Sequence, residues 1–509
     1  MAIGTLSFVQ YPVKAADKVP VITNWNPMIG YMVYQTSISG VYYYKLILEV
    51  YLGTSTSGTL IAKMKQRRNG YSSDISGVRA RAFFDLRSIA NTQLVDTVYD
   101  QNCDGAPFES IHKLGKNKDD GSGNSYIFSK NGNAQQAKYQ IAKLYVRAGQ
   151  EYSDSEDASP TENFPTSPVV ADTLVYLQST LDLFEPRFWT GSAVDTDYIQ
   201  GVAFVGYTMT SATDRYLSDL PITTAHTSVG MPLTGYINHI ISNDSGTTGD
   251  FHTLGFLNDG PNFDSAPFDF KVEYFKNNGV SIGSVTITNN AGAGGLKPTL
   301  VGANTADNVN RLLYFGCGPQ NLASIIGTSA GVNPSNFTDW EYYTVTALDG
   351  GSSQMAAKVY FLRQQDNCKG YKTRRLSWRN SLGCYDYFNF TLKSTQTVQV
   401  QRDTYNSVLG TFNKSKYRYD DTQRGKNVRQ TSATLKETLN TNWLKEEEVT
   451  LIESLLMSTN VEIIENINTD YTQGVVITDT SLLRKTVAND KMIQYTINIE
   501  YANPLNTNS

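Results

Sequence analysis

The sharpest alternation of apolar and polar positions lies near the end of the chain. Ile493, Tyr495, Ile497, Ile499 and Tyr501 interleave with Gln494, Thr496, Asn498 and Glu500, which predicts one unbroken strand over residues 492–501 with one buried and one wet face. Just before it the period changes. Leu444, Val449, Leu451, Ile452, Leu455 and Leu456 recur at three- and four-residue spacing, the stripe of an amphipathic helix. Asn442 is its expected N-cap, Glu446, Glu447 and Glu448 sit toward the positive end of its dipole, and it stops near Ser458-Thr459-Asn460. Further strands are predicted at residues 373–378, 385–400, 461–465 and 474–478.

The rest of the chain also reads as β. Residues 41–53 form a strand that ends at a Gly turn, residues 60–65 the next, and residues 82–89 close that region. Residues 116–133 have no periodicity and read as a polar loop, whereas residues 136–148 return to a strand. Residues 152–168 hold Asp154, Glu156, Asp157 and Glu162 among Ser, Thr and Pro, the composition of a linker or long exposed loop. Two alternating runs, residues 268–274 and 281–288, flank Lys276-Asn277-Asn278-Gly279, where Asn-Gly supplies the positive φ angles of a tight hairpin. Residues 291–295 are a Gly-rich tip that lacks the lysine of a phosphate-binding loop.

These elements predict a mainly β fold of several β-sandwich domains, the last with a packed helix. The expected division is an N-terminal sandwich with a long polar loop (1–150), an acidic Pro-rich loop or linker (151–168), a central sandwich (169–365) and a C-terminal sandwich plus helix (366–509). A length of 509 residues agrees, because single cores stop growing at roughly 250–300 residues.

Composition shifts the reading toward surfaces and away from chemistry. Charged residues make up only 18% and Tyr occurs 32 times, so much of the polarity is uncharged and many half-buried faces carry aromatic rings. The net charge of −5 speaks against a general nucleic-acid binder. The densest basic run, Lys63-Met64-Lys65-Gln66-Arg67-Arg68, reads as a solvated strand end. No basic n-region with an apolar stretch opens the chain, and no run of 18 apolar residues would span a membrane. Cys103, Cys317, Cys368 and Cys384 lack metal-ligand spacing and are expected as buried free thiols, a Cys368–Cys384 bridge being the alternative.

Each chemical candidate has a plainer reading. Gly327-Thr328-Ser329-Ala330-Gly331 has the spacing of a nucleophile elbow, but Pro334 and Asn336 disfavour the helix that must follow, so it reads as a Gly-rich loop. His112, His226, His239 and His252 stand singly; His239 and His252, with Asp244 and Asp250, fit no helix-borne metal pair. Asn258-Asp259-Gly260 with Asp264 and Asp269 lacks a calcium-loop frame and reads as turn chemistry. Trp189 and Trp340 are the aromatic side chains nominated for stacking on a sugar. No residue is nominated as catalytic, cofactor-binding or metal-ligating, no cofactor is expected, and a non-enzymatic role is.

Four stretches carry a resemblance. They are Trp25-Asn26-Pro27-Met28-Ile29 with Phe83-Phe84-Asp85-Leu86; Arg215-Tyr216-Leu217-Ser218-Asp219-Leu220-Pro221 with Thr253-Leu254-Gly255-Phe256-Leu257-Asn258; Tyr314-Phe315-Gly316-Cys317-Gly318-Pro319-Gln320-Asn321-Leu322; and residues 377–388, 442–448, 475–480 and 489–502. With them the chain resembles virion structural proteins of tailed bacteriophages, in particular tail-associated proteins of marine and Bacteroidota-infecting phages. The C-terminal block is similar to the sandwich with a helix of tail-tube and distal-tail proteins. The resemblance implies a structural subunit of the tail tip, baseplate or fibre-adaptor region, assembled in the host cytoplasm into the virion. Its implied partners are other tail proteins and further copies in a ring, with no nucleic acid and no membrane insertion. The alternative is a lectin-like receptor-binding protein that contacts host surface glycans, and a tail-borne hydrolase is a third.

Overall fold

The computed structural model describes residues 2–3, 6–10, 21–22, 30–35, 38–39, 41–52, 55–67, 80–93, 99–100, 109–110, 112, 141–165, 169–177, 216–223, 235–242, 249–257, 269–288, 312–322, 339–348, 352–354, 356–364, 370–413, 415–419, 422–465, 471–483 and 492–503. Within them the chain is mainly β, in several mostly antiparallel sheets. It divides into two compact units, Met1–Gln364 with Arg379–Asp386 and Gln365–Trp378 with Tyr387–Ser509.

The first unit contains two layered β assemblies. In one, Tyr42–Leu52 is flanked by Thr59–Arg67 and Ile141–Ser153 in a six-stranded sheet. Tyr44, Leu46, Leu48 and Val50 alternate along it and pack with Leu144, Val146 and Ala148 against Leu6, Ala82 and Phe84 of a separate three-stranded sheet, Leu6–Gln10, Gly30–Gln35 and Ala80–Asp85. Period-two patterning on both sheets thus closes a sandwich. The strand predicted over residues 82–89 ends at Asp85, and Arg87–Thr92 turns into a short helix whose Ala90 joins the same core.

The other face of this sheet is charged, and charge explains a segment that composition marks as linker. Thr161–Asn163 pairs with Ile141–Ser153 as an edge strand. It is held by Glu162, whose carboxylate accepts from Lys63 and Lys65, both at 2.8 Å. Those two bonds, from Lys63 first, draw its pKa down to about 2. Beside it, Glu49 accepts from Arg147, Tyr51 and Lys63, and Glu151 from Lys45 and Lys65. Lys63 and Lys65 of the basic run are therefore neutralised on this face.

In the second assembly, Asp269–Phe275 and Ser281–Thr288 form the predicted hairpin, with Gly279 at φ 78° in its turn. They continue a six-stranded sheet through Tyr342–Leu348 and Lys358–Arg363 to Gly235–Ile240, the last pairing being parallel. The pair Thr253–Leu257 and Leu312–Gly316 packs on it, with Phe315 stacked 4.5 Å from Phe270. Tyr274, Trp340, Tyr343 and Phe361 fill the centre with rings 4.7–5.7 Å apart. Trp340 is only 2% exposed, which removes it as a surface for stacking on sugar; Trp189 lies outside the described residues.

The second unit is built on a seven-stranded sheet in the order Tyr385–Phe390, Arg374–Arg379, Val461–Glu465, Tyr471–Ile477, Thr496–Tyr501, Lys426–Asn440, Thr395–Asn406. The strand predicted over residues 385–400 is thus two strands. The helix is shorter than its apolar stripe. Leu444–Lys445 is drawn into a β pair with Met492–Ile493, Glu446–Glu448 forms a 3₁₀ turn, and the α-helix is Val449–Met457. The Lys445 amide donates to the Glu448 carboxylate at 2.9 Å, while the Asn442 side chain accepts from the Trp443 amide, outside the helix, so Asn442 does not cap it. Val449, Leu451, Ile452 and Leu455 are buried, and Trp378 Nε1 donates to Ser454 Oγ at 3.2 Å.

The strand over residues 492–501 also divides. Met492–Ile493 and Thr496–Tyr501 belong to different sheets. Between them Tyr495 leaves the ladder, because its amide donates to Thr441 Oγ1 at 2.8 Å and its carbonyl accepts from the Thr441 amide at 2.9 Å.

Candidate functional site

Among the described residues, a β-arm in the second unit presents an exposed edge strand. Thr395–Asn406 and Lys426–Asn440 pair from Thr395↔Thr438 to Asn406↔Lys426. The sheet beyond them stops early, since Thr496–Tyr501 meets the longer strand only over residues Lys436–Asn440. From Val398 outward the two strands pair only with each other among the described residues. At about 3.4 Å per residue this ribbon is roughly 30 Å long.

Its root is fixed by a buried polar knot. Glu437 is buried, and its carboxylate accepts from Arg374 Nε at 2.7 Å, Gln396 Nε2 at 3.0 Å and Tyr501 Oη at 2.7 Å. Burial pushes this carboxyl upward, but the bonds from Tyr501, Gln396, Arg374 and Ser394 outweigh it and hold it below the ordinary glutamate value. A charge-assisted knot with its acceptors filled sets the register at which the arm leaves the sheet.

Beyond the knot, the core-facing side of the sheet continues into solvent. Val398 pairs with Leu435 and Val400 with Ala433, on the side that carries Glu437. A bulge between Asp403 and Thr404 keeps Val428 on that side as well. Val398, Val400 and Val428 are 53%, 40% and 52% exposed. The outer strand, Thr395–Asn406, is exposed at all twelve positions and is the edge of its sheet. Its outward amides and carbonyls are a template for another strand. At the far end, Thr411–Asn413 and Lys416–Arg418 make a small hairpin, and Tyr417 and Tyr419 meet edge-on at 5.3 Å.

The first unit holds a second polar centre, formed by residues 217–219, 255 and 380–386. The Leu217 amide donates to the Gly255 carbonyl at 3.0 Å. Asp386 accepts from Ser218 Oγ at 2.6 Å and from the Asp219 amide at 2.8 Å. Asp219 in turn accepts from the amide and hydroxyl of Ser381, and Asn380 Nδ2 donates to the Leu217 carbonyl at 2.8 Å. Burial, reinforced by the neighbouring Asp219 charge, raises the Asp386 carboxyl to about 7. Its bonding partners are backbone groups and the neighbouring Ser and Asn side chains, so the centre reads as a clamp between two loops. Next to it, Cys317 and Gly318 donate backbone N–H groups to the His252 carbonyl at 2.8 and 3.0 Å, and Asn321 bridges the His252 amide and the His112 carbonyl.

The other nominated residues do not converge. His252 is buried edge-on to Phe361 at 5.0 Å and His112 edge-on to Tyr385 at 4.9 Å, whereas His239 is exposed on Gly235–Ile240. Asp250 accepts from the Ile241 amide at 2.9 Å. Among the described residues no group of three or more His, Cys, Asp or Glu could hold a metal ion, and no helix is long and apolar enough to cross a membrane. Cys317 and Cys384 are buried free thiols, so Cys384 is not bridged to Cys368. Cys103, Cys368, His226, Asp244, Asp264, Ser329 and the stretches 116–133, 258–260, 291–295 and 327–331 lie outside the described residues.

Periodicity alone misses both centres. The arm's outer strand is mostly Thr, Gln and Asn, and the clamp joins residues 167 positions apart. No protein-family model matches the chain, and no curated protein matches it.

Proposed function

We propose that this chain is a structural subunit of a tailed-phage virion, in the tail tip, baseplate or fibre-adaptor region, and that it works through protein–protein assembly contacts. The observation that carries this reading is the arm. A two-stranded ribbon is marginal in water by itself. Here such a ribbon extends the apolar face of a sheet beyond its own core and keeps an open edge. Those are the properties of a segment completed by another chain, through added strand pairing and burial of the Val stripe.

The resemblance to tail proteins supplies the setting. The glycan-binding alternative loses Trp340 to the core.

Mass spectrometry and immuno-electron microscopy of gradient-purified particles test the proposal. The chain is expected in stoichiometric amount at one position of the tail. Its absence from intact particles overturns the reading.

A further inference from the structure

The arm differs from the rest of the chain in charge. Residues 395–430 hold seven Lys or Arg and three Asp, a net of +4. The whole chain is −5, so everything outside the arm sums to −9. On the charged sheet face of the first unit, by contrast, Lys45, Lys63, Lys65 and Arg147 each meet a glutamate. In the arm, Arg402, Lys416, Arg418, Arg424, Lys426 and Arg429 are all exposed, and none is in an ion pair among the described residues. Leaving six cations unmatched on an acidic chain is the arrangement expected of a surface matched from outside.

We infer that the arm of one copy docks on the acidic body of a second copy, head to tail; the inference rests on the assembly reading above. Pairing two arms edge to edge would bring these cations against their own kind, which disfavours an isologous contact. An arm laid on the body of the next copy places positive on negative and repeats as a heterologous contact.

A counter-surface is present in the first unit. Asp154, Glu156 and Asp157 are exposed in the turn between Ile141–Ser153 and Thr161–Asn163, and they too form no ion pair among the described residues. Tyr43 Oη holds this turn through the Glu156 carbonyl at 3.0 Å. Arm cations would meet these carboxylates, while the Val398, Val400 and Val428 stripe and the open strand edge supply apolar and main-chain contact.

Charge reversal tests this in the full chain by sedimentation velocity. One variant carries Arg402→Glu, Arg418→Glu and Arg429→Glu; the other carries Asp154→Lys, Glu156→Lys and Asp157→Lys. The unsubstituted chain is expected to self-associate, more weakly as salt rises. Each variant alone is expected to associate at least tenfold more weakly. An equimolar mixture is expected to regain association, since each reversed surface then meets an opposite one. The mixture is also the folding control, because two misfolded chains would not restore binding.

If the unsubstituted chain stays monomeric, docking between like copies is overturned. Association of the separate variants at unaltered strength, or failure of the mixture to recover it, overturns the docking while leaving assembly with other tail proteins standing. Arm-dependent binding to a single-stranded oligonucleotide in place of self-association makes the partner a nucleic acid and also overturns it. Presence of the chain in purified particles tests the assembly reading separately from all of these.

Discussion

Replacing Arg374 with Met should loosen the whole second unit and not only the arm. Arg374 Nε lies 2.7 Å from Glu437 Oε1, and the two side chains are 7% and 0% exposed. Removing one member of a buried ion pair leaves the other charge without water and without its partner, at a cost of about 3–5 kcal/mol. Tyr501 and Gln396 still donate to the carboxylate, which places the expectation near the lower end of that range. Against a total stability of about 5–15 kcal/mol, this is a large fraction.

Native-state hydrogen exchange at the Val461–Glu465 amides, in the middle of the sheet, reads the loss directly. Protection there should fall by roughly two to three powers of ten, at about 1.4 kcal/mol per power. The double variant Arg374→Met with Glu437→Gln removes both charges, while the amide oxygen still accepts from Tyr501. It should recover to within about 2 kcal/mol of the original chain. A loss below about 1 kcal/mol for Arg374→Met, or a double variant no better than the single one, would refute a coupled buried pair at the root of the arm.

Three further outcomes follow from the first unit. The Asp386 carboxyl is raised in the fold, so its contribution is fully present below its unfolded value of 3.8 and is lost as pH rises toward about 7; Asp386→Asn should flatten urea stability measured between pH 4 and 7, and an unchanged slope would assign the pH dependence to another group. The Glu162 carboxyl is lowered to about 2 from 4.5, so its contribution is present above pH 4.5 and fades below it; exchange at the Thr161–Asn163 amides, corrected for intrinsic rate, should quicken below pH 4.5 in the original chain but not in Glu162→Gln. At Gly318 an added Cβ would lie 2.4 Å from the Asp250 carbonyl oxygen and 2.5 Å from the His252 nitrogen, both backbone. Gly318→Ala should therefore cost about 1–3 kcal/mol by thermal denaturation, and an unchanged melting temperature would show that the crossing accommodates a Cβ.

Where local pattern and tertiary structure agree, the fold is legible in the residues. The runs around Asn278-Gly279 give the central hairpin, and Val461–Glu465 is the strand its sequence announces. Errors arise where a distant group takes over backbone bonds. Thr441 pulls Tyr495 out of an otherwise uninterrupted alternation. Met492–Ile493 recruits Leu444–Lys445 and delays the helix that Asn442 would have capped. Lys63 and Lys65 turn an acidic, Pro-containing segment into a strand by fixing Glu162.

The arm is hidden from local pattern for a different reason. Its outer strand is legible as far as Val400, but its exposure depends on where the neighbouring strand stops, at Lys436↔Glu500, and no local pattern encodes that end. The Asp219–Asp386 clamp is silent in sequence because both carboxylates look like ordinary turn residues until the two loops meet. Charge segregation, by contrast, was present in the residues all along and was hidden by averaging over the whole chain.

The most direct test of the central claim is hydrogen exchange at the Thr395–Asn406 amides, compared between purified particles and the isolated chain. An assembly arm predicts protection of these amides in the particle and rapid exchange at the open edge when the chain is free. Equal exchange in both states, with the chain present in the particle, would contradict it.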